Sequence, residues 1–299
     1  MCTGTNSIPE LLLVGPYDHH HVPAFCLNQP LPQLIRTDCA IINGVRGEVL
    51  IPSSIPNLSA FVSSTVGRVG EIHYGESVKC VRSPVPVANG FVNAAFVLDS
   101  VVPRLASIAE AVAFFGETGS PFVVWVPEED DELGEAVEQS GGVVDHDPAP
   151  DMWISDPITA DSSFEIRVAL GPEQFALCAR LCEAAYEIDG MAWLMEHHNM
   201  LESPGVTWVV AWDGDEPVGA GCAFLEEFVG GIYYVSTPPT SARRGVAGSV
   251  TSWLTNLMLG QGAHTVVLQA SSAGYPVYRR LGFDTRGQLT RYRFESPDF

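Results

Sequence analysis

Val235-Ser-Thr-Pro-Pro-Thr-Ser-Ala-Arg-Arg-Gly-Val-Ala-Gly-Ser249 is the stretch whose reading decides the fold. Before it runs Ile232-Tyr-Tyr-Val235, apolar and β-branched, and after it an amphipathic run from Val250 to Gly260. Two prolines and a Gly/Ala/Ser turn separate them, so the pattern reads as strand, loop and helix N-terminus. The first N–H groups of a helix have no intrahelical acceptor, and the helix dipole puts positive potential there, so such a terminus is prepared for an anion. Small residues at Gly245, Ala247, Gly248 and Ser249 let a phosphate approach the backbone, alongside Val246, while Arg243 and Arg244 add charge suited to forked contact with phosphate oxygens.

Charge placement supports that reading. The chain of 299 residues carries a formal net charge of -21, yet Arg243 to Arg293 holds seven arginines and a single acid, Asp284. A merely solvated face would not need this local reversal.

Taken together, the loop resembles the acyl-CoA loop of the GCN5-related N-acetyltransferases (GNAT), usually Arg/Gln-x-x-Gly-x-Gly/Ala after a strand ending in Val-x-Pro. It stands here as Thr237-x-Pro239 followed by Ala242-Arg-Arg-Gly245-Val-Ala247. Ala242 replaces the usual Arg or Gln and Thr237 the usual Val, which removes one side-chain contact to pyrophosphate unless Arg243 supplies it. A second block, Leu268-Gln-Ala-Ser271-Ser-Ala-Gly274-Tyr-Pro276-Val-Tyr278-Arg-Arg-Leu-Gly282-Phe283, is similar to the family segment ending in Tyr-x-x-x-Gly-Phe. The resemblance covers about residues 164 to 295.

It implies an α/β (α+β) GNAT fold: a mixed central sheet with splayed strands, flanked by helices. It also implies acetyl-CoA as cosubstrate, no metal, and an amine of a small molecule or protein as acceptor, attacked directly in a ternary complex. The implied cofactor contacts are Val235, Thr237, Arg243, Arg244, Gly245, Val246, Ala247, Gly248, Ser249 and Ser271. A backbone N–H at or beside Val235 would polarise the thioester, and Tyr278 would protonate the departing sulfur. For the base, Glu226 and Glu227 stand near the end of the strand before the cofactor strand; adjacent strand residues face opposite ways, so at most one would serve. Tyr186, Asp189, Trp193, His197 and His198 are candidates for lining the acceptor site.

Strand-like Phe91 to Leu98, helical Leu105 to Phe115, strand-like Pro121 to Val126, helical Leu133 to Gln139 and strand-like Asp151 to Ile154 make up the rest of the first half. Their order echoes residues 264 to 295 without the arginines, so residues 1 to 155 read as a degenerate GNAT-like domain and 164 to 299 as the catalytic one, joined through a Pro/Ser/Asp-rich stretch. In the second half Pro172 to Ile188 and Met191 to Met200 read as helices, and Thr207 to Trp212 with Val218 to Leu225 as a hairpin.

With 46% hydrophobic and 17% charged residues the chain has the composition of a globular protein. Net acidity argues against a nucleic-acid partner and suits a cationic amine. No run is long enough for a membrane span, and the N-terminal residues lack a signal pattern. Seven cysteines without disulfide or zinc spacing point to a reducing cytoplasm. Asp18-His-His-His21 reads as an exposed loop. Oligomeric state is left open, a homodimer included. Two rival readings remain: a non-catalytic acyl-CoA-binding module, and an interaction scaffold that docks through the acidic residues 128 to 138.

Overall fold

The structure, a computed structural model, describes residues 53–87, 89–98, 102–159, 164–186, 192, 195 and 200–295, with the side chains of 146–148 left aside. Residues 18–21, Cys2, Cys26 and Cys39, and the acceptor-site candidates Asp189, Trp193, His197 and His198 lie outside that set, as does most of the helix expected over Met191–Met200. Residues 50–299 form one compact unit.

Among the described residues eleven strands make a single mixed sheet. In chain order they are β1 (Glu71–Tyr74), β2 (Val78–Arg82), β3 (Ala94–Val97), β4 (Phe122–Pro127), β5 (Val143–Ile154), β6 (Glu165–Val168), β7 (Val206–Asp213), β8 (Glu216–Glu226), β9 (Val229–Ser236), β10 (Thr265–Gln269) and β11 (Asp284–Phe294). The helices are α1 (Ile55–Thr65), α2 (Arg104–Gly116), α3 (Asp131–Gln139), α4 (Pro172–Tyr186), α5 (Val246–Gly260) and α6 (Tyr275–Arg280).

Across the sheet the order is β1-β2-β3-β4-β11-β5-β10-β9-β8-β7-β6. At its centre β11 and β5 run antiparallel, and the two flanks repeat outward from them. β4 and β10 are each antiparallel to their central strand, β3 and β9 parallel to the next, and β2 and β8 antiparallel again. The central strands are exchanged in sequence. β5, from the first half, lies between β10 and β11 of the second; β11, the last strand, lies between β4 and β5.

Side-chain alternation sorts the core by face. One face of the second flank packs Ile232 and Leu268 with Tyr278 of α6 and Phe283 against α5, and one face of the first packs Ala95 and Val124 against Ile108 of α2 and Leu133 of α3. On the opposite face the two flanks share a core, in which α1 and α4 lie over Trp125, Trp208 and Tyr233. Phe61 of α1 stacks on Tyr233 with centroids 4.0 Å apart. A fully buried aromatic of this kind is worth about 3–5 kcal/mol against alanine, so the flanks are held by packing as well as by the sheet.

Of the seven acids between 128 and 138, four are engaged within the chain, while Asp131, Glu132 and Glu135 are exposed. Asp130 caps α3 by accepting from the Leu133 amide at 3.0 Å and pairs with Arg104 at 2.7 Å. Glu129 pairs with Arg286, Glu128 accepts from the Gln288 amide, and Glu138 accepts from the Tyr292 hydroxyl. These contacts fasten α3 to β11 and α2.

Candidate active site

β9 and β10 pair only at Thr265↔Val229, Val266↔Gly230 and Val267↔Gly231. Beyond Gly231 the parallel strands part, leaving a slot bounded by Ile232 to Ser236 on one side and Leu268 and Gln269 on the other. A bulge sits in the slot wall: the ladder to β8 passes from Cys222↔Tyr233 to Ala220↔Ser236, so Tyr234 and Val235 together oppose Gly221. Tyr234 takes φ 53, a left-handed conformation uncommon outside glycine.

Past the bulge the chain makes a short 3₁₀ turn at Pro239–Ser241 and enters α5 through Arg243 (φ 62) and Gly245 (φ 92). Open space surrounds Gly245, so the position needs glycine for its φ and not for room. As N-cap it offers no side chain to the first turn, and the amides of Val246, Ala247 and Gly248 are left pointing outward. Gly219 of β8 serves the same entry by a close approach: a Cβ there would fall 2.5 Å from Val246 and 2.7 Å from the Ser236 carbonyl.

An open parallel strand pair ending at an uncapped, glycine-led helix start leaves backbone donors free for an elongated anionic ligand. Residues 175–283 match the family described as Acetyltransferase (GNAT) family. The match spans 109 of the 299 residues and takes in the loop, α5 and α6; the family is one of acyltransferases and implies an acyl-CoA cosubstrate for this region. Among solved structures, a GCN5-related N-acetyltransferase from Kribbella flavida is similar at TM-score 0.63 and 15% identity, covering 83% of this chain and 98% of that one. One from Sphaerobacter thermophilus reaches 0.54 at 15%, covering 77% and 84%. A tandem GNAT protein from the clavulanic acid biosynthesis pathway reaches 0.52 at 12%, covering 74% and 79%. At these identities the likeness concerns the fold. No curated protein matches the chain.

At the loop the two arginines part company. Arg244 stacks over Phe164 at 5.7 Å and forms an ion pair with Asp213 of β7, so its charge is directed at the sheet edge. Arg243 is exposed, with no acidic partner among the described residues. Thr237 has a buried hydroxyl with no partner among the described residues. Ser249 is nearly buried in the first turn of α5, and Gly248 faces Val277 of α6. The Ser271 hydroxyl accepts from the Gly274 amide at 3.1 Å and so shapes the entry to α6.

Tyr278 lies between α6 and α5, 8% exposed, with its ring 6.0 Å from Phe283. Burial pushes its hydroxyl up to about 12, against an opposing pull from the Thr251 hydroxyl of α5. It therefore carries its proton at neutral pH, the state a donor to a thiolate needs.

Glu226 and Glu227 are not brought to the slot. Glu226 ends β8 and Glu227 follows in the β8–β9 turn with φ 51, both exposed. Because β8 and β9 are antiparallel, that turn lies at the opposite end of the eight-residue β9 from the loop, about 25 Å away along the strand. The charge of Glu226 acts instead on Lys79 of β2, opposing the lowering that burial imposes on that lysine.

Neither β9 nor β10 carries an acid. The carboxylate set beside the slot is Asp151 of β5, in register with Gln269 and 1% exposed. Burial raises it; the Ser54 amide at 3.3 Å and Arg286 at 3.5 Å oppose that, and Glu129 adds to it. Nothing in the sequence around Asp151 could single it out, since its place depends on the strand exchange. A cavity of about 440 Å³ bordered by Phe164, Ile166, Ser249, Trp253 and Asn256 opens between α5 and β6. It shares no strand with the slot, which is where the family motif and the bulge converge.

Proposed function

We propose that the protein is an acetyl-CoA-dependent N-acetyltransferase in which a primary amine of a small molecule or protein attacks the thioester directly. The observation that carries this reading is the slot between β9 and β10, with a bulge in its wall, the uncapped start of α5 at its mouth and Tyr278 beside it.

The pyrophosphate would rest on the amides of Val246, Ala247 and Gly248 with Arg243 alongside, and the pantetheine arm would lie in the slot. Thr237 and Ser249 border that path, whereas Arg244 and Ser271 shape the loop and the start of α6. The thioester oxygen would meet the Val235 amide. As the amine nitrogen bonds to the carbonyl carbon and the C–S bond breaks, Tyr278 gives its proton to the sulfur. The amine's own proton leaves on the face carrying Tyr234, Gln269 and Asp151. Asp151 is a better candidate to receive it than Glu226 or Glu227, which stand a strand length away.

The residues 1–155 and 164–299, as two GNAT-like halves with the cofactor site in the second, fit the repeat of strand directions on either side of β5 and β11. Calorimetric titration of acetyl-CoA, followed by thiol release with a panel of primary amines, tests the proposal. A folded protein that binds acetyl-CoA and releases no thiol with any amine would favour the non-catalytic acyl-CoA module.

A further inference from the structure

A bulge costs the strand part of its ladder, and buried backbone carbonyls need other donors. At the bulge of β9 those donors come from α4. The Tyr186 hydroxyl donates to the Val235 carbonyl at 3.1 Å. Cys182 Sγ lies 3.8 Å from the Tyr234 carbonyl and 3.7 Å from Ser236 Oγ, sharing its S–H between them. Ser236 in turn donates to the Ala220 carbonyl at 3.3 Å, closing the contact back to β8. Cys182 and Tyr186 are one turn apart on the same face of α4. The peptide groups on both sides of Val235 are therefore held by one helix.

A trans peptide is planar, so an N–H points opposite to the carbonyl of the preceding residue. A Tyr234 carbonyl held toward α4 turns the Val235 N–H away from α4. Left-handed φ at Tyr234 is strained for a bulky side chain, and a conformation of that kind persists only when its surroundings enforce it. Burial keeps the Cys182 thiol near 12, so the sulfur retains the proton it shares.

We propose that Tyr186 and Cys182 are positioning residues that lock the bulge and thereby aim the Val235 amide into the slot at the thioester oxygen. The inference rests on the transferase reading and adds to it the side chains that hold the oxyanion donor in place. Neither touches the reacting atoms. Their effect is on polarisation of the carbonyl and not on capture of the cosubstrate, which depends on the loop and α5.

The test uses the full chain and acetyl-CoA carrying ¹³C at the carbonyl. Isotope-edited infrared spectra of the bound thioester report polarisation directly and need no acceptor. In the wild type the carbonyl band should move to lower frequency than in water. Tyr186→Phe, which keeps the ring, should bind acetyl-CoA within about twofold of wild type but lose most of that shift. Thiol release should fall on the order of tenfold, a fraction of the loss that follows removal of an oxyanion donor itself. Cys182→Ala should lose a smaller part of the shift, because S–H···O bonds are weak, and it provides the second reading should Tyr186→Phe fail to fold. A full shift in both folded variants overturns the clamp while leaving the transferase reading intact. Wild-type protein that does not bind acetyl-CoA at all overturns both.

Discussion

The two flanks of the sheet repeat the same strand directions and end in opposite ways. β3 and β4 pair at Ala94↔Val123 and Ala95↔Val124 before parting, much as β9 and β10 part beyond Gly231 and Val267. In the first flank, however, α2 starts behind Pro103 with no glycine loop, and Arg104 ties that start to Asp130, the N-cap of α3. In the second, α5 starts at Gly245 without a capping side chain, Arg243 is exposed, and α6 brings Tyr278 alongside. On the proposed reading, the frame alone does not make a cofactor site. What separates the flanks is whether the two helix starts are tied to each other or left free for a ligand.

The comparison breaks most visibly at Tyr278. Tyr278→Phe should lower kcat for thiol release by about 10²-fold or more, in the range of general acid contributions, with acetyl-CoA affinity nearly unchanged. Steady-state kinetics checks it, and an unchanged kcat would leave Tyr278 a packing residue. Next is Gly245→Val: a β-branched residue at φ 92 is strained and crowds the phosphate, so acetyl-CoA should bind at least about tenfold more weakly. A matching substitution in the first flank sharpens the contrast. Arg104→Ala should cost stability, about 1–3 kcal/mol by denaturant unfolding, and leave acetyl-CoA affinity within experimental scatter.

A smaller effect concerns pH. Burial raises Cys182 to about 12 and Tyr278 to about 12, and raises Tyr233 as well. Each group holds its proton more tightly folded than unfolded, so its contribution is complete below its unfolded value and is lost as pH rises toward the folded one. Stability should be flat with respect to these groups up to about pH 9 and decline from there, first through the thiol and then through the phenols. Thermal melts across pH 8 to 11 would show it.

How much of this could be read beforehand follows from physical range. The loop, α5 and the Tyr278 helix were legible because proline, glycine and helical periodicity are local signals. β1 and β2 were not, being four or five residues long and without alternation. α1, 11 residues long, was missed for a different reason: it opens in a Pro-rich region, and proline is a breaker signal. The exchange of β5 and β11 is a matter of neighbours, on which periodicity is silent. Glu226 and Glu227 illustrate a different limit. Their nearness to the cofactor strand in sequence is nearness to its beginning, and a hairpin turn puts that beginning at the far end from the loop. Tyr186 could be proposed as an acceptor-site residue, but its bond to Val235 requires a bulge that only the β8–β9 register reveals.

The most direct test of the central claim, that one flank alone retains the site, is the stoichiometry of acetyl-CoA binding by calorimetry, in wild type and in Arg243→Ala. The account predicts one site per chain, weakened about tenfold in the variant, in keeping with loss of a charge-assisted phosphate contact. Two sites per chain, or one site indifferent to Arg243 and to Gly245→Val, would contradict it.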